Sequence, residues 1–195
     1  MIVATNDNDI LHRAILDGNY EVKKVFQTLS PSMDIQIASN FERLIYDIND
    51  FSDIETEKIM NEIKRNGKYK IPKDKIRKIK KDFLSASLSL EEMKKIIIKL
   101  STATEYDTVI VDPHTAIGLG AITKAANKNK DSGVNTVNTI SLATAHPAKF
   151  PEATKFAHGK VELPGELKNI INEKENFNIM KNHVKEVKDY ILKKI

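Results

Sequence analysis

Cysteine is absent from the 195 residues, and so is tryptophan. Without thiols the chain has no disulfide, no thiolate metal site and no sulfur nucleophile. No window approaches the roughly 18 uninterrupted apolar residues of a membrane span, and the N-terminus lacks a basic region followed by a long apolar run. Neither insertion nor secretion is supported, which leaves the cytoplasm as the expected location. Net charge is scarce as well: 31 basic residues face 27 acidic ones, giving +4 and a pI near 9.0. An excess that small identifies no partner. Internal repeats and low-complexity linkers are missing too, and 41% hydrophobic with 30% charged residues is an ordinary soluble composition able to build a core.

What is present reads as alternating strand and helix. Ile2-Val3-Ala4, bounded by polar Thr5-Asn6-Asp7, has the character of a buried strand, so an unpaired sheet edge is expected from Ile2. Asp9 then precedes Ile10, Leu11, Ala14 and Ile15 at helical spacing, and Gly18 stops the helix. Ser39 with Glu42, Ser52 with Glu55 and Ser89 with Glu92 each have the spacing of a capping box. They predict helices over about 40–48, 54–65 with Gly67 as its stop, and 89–100, with another helix from Pro72 to about Phe83. The stretch from Asp50 to Ser101 therefore reads as a charged helical lobe with little strand signal. Strands are expected instead over Thr108–Val111 and Thr136–Ala143. Asp112-Pro113 supplies an N-cap and a first-turn proline for a helix to about Asn127, and Pro147 opens a further helix by the same logic. Apolar residues at 167, 170 and 171, and again at 184, 187, 191 and 195, predict one or two closing amphipathic helices.

Four stretches, in chain order, carry more than secondary structure. They are Val3-Ala-Thr-Asn-Asp-Asn-Asp-Ile-Leu11, Met33-Asp-Ile-Gln-Ile-Ala-Ser-Asn-Phe-Glu-Arg-Leu44, Val111-Asp-Pro-His-Thr-Ala116 and Thr139-Ile-Ser-Leu-Ala-Thr-Ala-His-Pro-Ala-Lys-Phe-Pro-Glu152. Together they resemble the C-terminal part of the threonine synthase family, and the resemblance runs over essentially the whole chain. It implies an α/β fold, a partial three-layer parallel sheet of the fold type II pyridoxal-phosphate kind, with the helical charged lobe at about 50–104. It also implies the family reaction, O-phosphohomoserine to threonine with pyridoxal phosphate as cofactor. The family's opening half carries the lysine that bonds the cofactor and most of its phosphate loop, and that half is expected upstream of Met1. Residues 1–195 would then form one portion of the catalytic domain, inactive alone and using pyridoxal phosphate only with the missing half, which a separate gene could encode.

Site residues follow from the same resemblance. Thr144, where strand gives way to turn, corresponds to the hydroxyl that meets the pyridine nitrogen of the cofactor; as a bare residue it also suits an ST-turn closing the strand. A neutral hydroxyl, unlike a carboxylate, does not hold that nitrogen protonated. Asn40 and Arg43 sit in a family signature, and Arg43 offers a planar fork for the carboxylate or phosphate of O-phosphohomoserine, or for a nearby acid. His114 and Thr115 stand at a helix start that favours an anion, where capping already accounts for Asp112 and Pro113. His146 either orients its turn or touches phosphate. Lys149, in the first turn of a helix, is expected to be a solvated surface residue rather than the cofactor lysine.

Two other functions are weighed. The histidines at 12, 114, 146, 158 and 183 show no ligand spacing, so no metal site is expected. Basic residues at 68, 70, 73, 75, 77, 78, 80 and 81 suggest nucleic acid, yet Ile76 and Ile79 make an amphipathic helix and no aromatic RNA-binding motif accompanies them. A solvated face is the expected role. A second reading of the whole chain is a non-catalytic module that docks a partner through its sheet edge or this basic helix.

Overall fold

The computed structural model describes residues 1–102, 108–128, 138–170 and 172–195. These fall into two compact units, Met1–Val161 and Glu162–Ile195.

Strand β1 (Ile2–Thr5) is followed by helix α1 (Ile10–Asp17), as the apolar spacing predicts. Gly18 ends the helix at φ 80°, and a Cβ placed there would stand 2.8 Å from the carbonyl oxygen of Ile71. Only glycine meets both the left-handed backbone and that approach. The chain then turns into β2 (Asn19–Glu21), runs through a loop to α2 (Phe41–Ile48), and continues as α3 (Asp53–Asn66), β3 (Lys68–Lys70), α4 (Lys73–Asp82), β4 (Leu84–Ser87) and α5 (Leu90–Ser101).

Two short strands, β3 and β4, lie inside the stretch expected to be mainly helical with little strand signal. β2 pairs antiparallel with β3, Tyr20 opposite Tyr69, and β4 pairs parallel with β1, from Ile2 opposite Leu84 to Thr5 opposite Ser87. Neither Lys68-Tyr-Lys70 nor Leu84-Ser-Ala-Ser87 contains a β-branched residue, and Tyr69 alone among them favours a strand, so their own signal is weak. Partners impose the conformation: the amides of Leu84 and Leu88 donate to the carbonyls of Met1 and Thr5 at 2.8 and 2.9 Å.

The strands expected at 108–111 and 136–143 are the opposite error. Residues 108–111 and 138–143 form no ladder, while 136 and 137 lie outside the described residues. Branched side chains favour strands when a pleated surface buries them, and here Val109 is 52% exposed, Ile140 89% and Leu142 76%.

Helices cover both faces of the β1/β4 pair. Because side chains alternate along a strand, Val3 faces the core containing Ile10, Ala14 and Ile15 of α1, while Ile2, Ala4 and Ala86 face the core containing Met93 and Ile97 of α5. Helix α6 (Pro113–Lys128) brings Ala116, Ile117 and Ala121 to that second core. Gly120 permits the close approach, since a Cβ there would stand 2.2 Å from Leu88 Cδ2.

The three expected capping boxes divide. Ser89 and Glu92 make both reciprocal bonds. Ser52 accepts from the Glu55 amide at 3.3 Å, but the Glu55 carboxylate lies 4.0 Å from Lys58. Ser39 is not a cap: Asn40, already helical at φ −79° and ψ −10°, takes that position without a side-chain bond. Among the basic residues of α4, Lys75 Nζ donates to Ile48 O and Lys78 Nζ to Asp50, each at 2.7 Å.

Past α6, Pro147–Lys149 forms a single 3-10 turn rather than a helix, and α7 (Pro151–Thr154) begins at the next proline. The second unit holds α8 (Gly165–Ile170) and α9 (Val184–Leu192), the closing helices expected from the apolar spacing.

Candidate cofactor and substrate site

Helix α6 starts in the interior. Asp112 is 1% exposed, His114 5% and Thr115 6%. The Asp112 carboxylate accepts from the backbone amide of His114 at 2.9 Å and of Thr115 at 3.4 Å, filling the N-cap role expected of it. It accepts two side-chain bonds as well, from His114 Nδ1 at 2.8 Å and from the Thr115 hydroxyl. Burial pushes the Asp112 carboxyl upward, but the hydrogen bonds from the Thr115 and His114 side chains and amides outweigh it and hold the group below its ordinary range.

His114 has both ring nitrogens engaged. The Ser32 amide donates to Nε2 at 3.2 Å, so the ring proton sits on Nδ1 and is given to Asp112. The ring also meets Phe150 edge to face, with centroids 4.8 Å apart. This imidazole is fixed from three directions.

Thr144 joins the same cluster from the other side. Its amide donates to Thr115 Oγ1 at 3.1 Å, and the two hydroxyl oxygens stand 3.3 Å apart. Thr144 itself is an exposed residue. The segment leading to it lies close over α6, since a Cβ on Gly118 would stand 3.0 Å from Ser141 Oγ. Two residues on, His146 Nδ1 accepts from the Ala148 amide at 3.2 Å, which orients the 3-10 turn, and exposed Lys149 ends that turn.

Asn40 and Arg43 are exposed on and beside α2. Arg43 lines two open clefts. One of about 530 Å³ is shared with Asn40, Leu44 and Asp47, and another of about 480 Å³ with Glu42, Asp53 and Glu57. Neither cleft is lined by His114, Thr144 or His146, so the structure brings His114 and Thr144 together through Asp112 and Thr115, leaves His146 in the adjoining turn bonded to the Ala148 amide, and gives Asn40 and Arg43 surroundings of their own. Among the described residues no group of three His, Asp or Glu side chains could hold a metal ion. No described helix is long and apolar enough to cross a membrane.

Two links in this cluster had no signal in the sequence. Thr115 and Thr144 are 29 positions apart, and Ser32 and His114 are 82 apart. Asp112 read as a cap alone; its second task, receiving the Thr115 hydroxyl, is visible only once the helix start is packed.

The fold and this cluster define an α/β protein with helices on both faces of a parallel strand pair and a threonine anchored at a turn. Comparison with known proteins agrees with that class. Residues 115–191 match the family model described as threonine synthase, C-terminal. Threonine synthase from Saccharomyces cerevisiae is 39% identical over 189 residues, covering 87% of this chain and 36% of the relative. Among solved structures, that of yeast threonine synthase superposes with a TM-score of 0.82 at 36% identity, covering all of this chain and 42% of that one. PLP-bound threonine synthase from Brucella melitensis gives 0.79 at 36% identity, covering 97% and 39%. Over most of its length the chain is similar to the C-terminal part of threonine synthases, and it spans roughly two fifths of the length of these relatives.

Proposed function

We propose that this chain forms the C-terminal portion of a threonine synthase, a pyridoxal-phosphate-dependent carbon–oxygen lyase converting O-phospho-L-homoserine and water to L-threonine and phosphate. One observation carries the reading: Thr144 is an exposed residue whose backbone is tied through Thr115 to a buried carboxylate. The donor set fits the cofactor, because a neutral hydroxyl held in place suits the nitrogen of a pyridine ring. When bound, pyridoxal phosphate supplies the electron sink for carbanion chemistry next to the amino group of the substrate.

The chain's own residues bind and orient. Thr144 meets the ring nitrogen. His146, with Nδ1 occupied by the Ala148 amide, offers Nε2–H toward the substrate phosphate. Arg43 offers its fork to a carboxylate or phosphate, with Asn40 beside it in the same cleft. His114 acts from behind, holding Asp112 and the start of α6. None of these residues is assigned the base; in the family resemblance that lysine belongs to a segment not matched here. The β1/β4 pair, covered by helices on both faces, is the chain's share of the larger parallel sheet.

The reading is tested by supplying the full chain with the portion of the yeast enzyme that it does not match, then titrating pyridoxal phosphate. Thr144→Val is expected to weaken binding about 3- to 10-fold, the value of one hydrogen bond. Equal affinity in the variant, or no cofactor absorbance with the wild-type chain, contradicts the reading.

A further inference from the structure

We infer that Asp34, with Thr28 and Asn6, is a positioning residue for the candidate site: these side chains hold the turn at Pro31–Met33 so that the Ser32 amide fixes His114. The inference rests on the function proposed above for its link to the cofactor, and it adds residues from the loop between β2 and α2.

From Val22 to Asn40 the chain forms no strand and only one 3-10 turn, so its backbone amides need other acceptors. Side chains supply them. The Phe26 amide donates to Asn8 Oδ1 at 2.9 Å, the Thr28 amide to Asp34 Oδ2 at 2.8 Å and the Ser30 amide to Thr28 Oγ1 at 3.0 Å. Asp34 is the hub. Its Oδ1 receives the side-chain amides of Asn6 and Asn8, at 2.7 and 3.0 Å, and the Thr28 hydroxyl at 2.7 Å. Asn6 and Asn8, each 2% exposed, stand just after β1, and Ser87 Oγ at the end of β4 donates to Asn6 O at 2.8 Å. The loop is thus pinned to the strand ends by a polar network out of water, where an unpaired group is costly.

The turn that this network holds reaches the site. The Ser32 amide donates to His114 Nε2 at 3.2 Å, and bonds run on from His114 Nδ1 to Asp112, to the Thr115 hydroxyl and to the Thr144 amide. Displacing Ser32 removes one of the three restraints on the imidazole. Apolar packing is the competing explanation, because Leu29 and Met33 rest against the second core. Two kinds of substitution separate them. Thr28→Val keeps the bulk of the side chain and deletes the hydroxyl, whereas Thr28→Ser keeps the hydroxyl. In Asp34→Asn the side chain has a single accepting oxygen, so its NH2 meets either the Thr28 amide or the donors on Oδ1.

The test reads the nitrogen–nitrogen coupling across the Ser32–His114 hydrogen bond by NMR of the isotope-labelled full chain. Coupling is expected in wild type and Thr28→Ser and should vanish in Thr28→Val and Asp34→Asn, while Ile79→Val, which only thins the first core, retains it. Its absence from wild type, its survival in Thr28→Val or its loss in Thr28→Ser overturns the inference. A second measurement needs no variant that could fail to fold: in wild type, the amides of Thr28, Ser30 and Ser32 should open to hydrogen exchange as one unit with a shared dependence on urea. A Ser32 amide that opens independently overturns the inference as well. In the full chain supplied with the unmatched portion of the yeast enzyme, Thr28→Val should weaken binding of pyridoxal phosphate about 3- to 10-fold and Thr28→Ser leave it unchanged. Equal affinity in all three overturns the positioning role and leaves the functional reading in place; failure of the wild-type assembly to bind overturns both.

Discussion

Lys124 Nζ on α6 lies 2.7 and 2.9 Å from the two carboxylate oxygens of Glu92, the residue that closes the capping box at Ser89 on α5. The same ammonium donates to Ser87 O at the end of β4, at 2.8 Å. One side chain thus ties together the three elements that enclose the second core and carry the start of α6. Ser89→Ala removes the cap and should lower the unfolding free energy by about 1 kcal/mol in urea denaturation. Lys124→Met should cost up to about 1 kcal/mol, because the pair is partly exposed and screened. The double variant should depart from additivity, since the Ser89 hydroxyl accepts from the Glu92 amide while Lys124 meets the carboxylate of the same residue.

Acid should destabilise the fold through two carboxyls. Hydrogen bonding to Lys124 leads in holding Glu92 below its ordinary 4.5, and Asp112 lies below its ordinary 3.8 against the opposing effect of burial. A folded pKa below the unfolded one means that the stabilisation is complete above the unfolded value and disappears as pH falls through the folded value. Midpoints of urea unfolding should therefore be flat near neutrality and drop below about pH 4.5. Asp112→Asn should shrink that drop while lowering stability at pH 7.

Gly120→Ala tests how closely α6 approaches β4. The added methyl would fall 2.2 Å from Leu88 Cδ2 and 3.2 Å from Ile96 Cγ1, and Leu88 is only 2% exposed. Overpacking of this kind costs about 1–3 kcal/mol, against which the helix propensity gained from alanine is smaller. Thermal unfolding should show a lower Tm.

Tyr20→Phe should cost about 1–3 kcal/mol, because it leaves the buried amide of Ala38, now 3.2 Å from the tyrosine oxygen, without an acceptor. Stacking on Phe41, at 4.5 Å between ring centroids, is retained by the phenylalanine. Urea unfolding of the variant measures the hydrogen bond with little change in packing.

Elements with local signals were legible before folding was considered. The Ser89–Glu92 box, the Gly18 and Gly67 stops and the Asp112-Pro113 start each satisfy or spare backbone groups within a few residues, so their chemistry is written in adjacent letters. β3 and β4 were not legible, because Lys-Tyr-Lys and Leu-Ser-Ala-Ser become strands only through partners at β2 and β1. The error at 108–111 and 138–143 has the same root: branched residues report a preference for a half-buried pleat, and exposed Ile140 and Leu142 have none. At the site, Thr144 was legible through the family motif around it. The Asp112–Thr115–Thr144 chain of bonds was not, because it closes across a tertiary contact.

The most direct measurement is turnover: release of phosphate and formation of threonine from O-phosphohomoserine and pyridoxal phosphate by the full chain supplied with the unmatched portion of the yeast enzyme. The account predicts threonine and phosphate in equal amounts, dependent on both pieces and reduced about 3- to 10-fold by Thr144→Val. Turnover that is the same with and without this chain, or unaltered by the loss of the Thr144 hydroxyl, would contradict it.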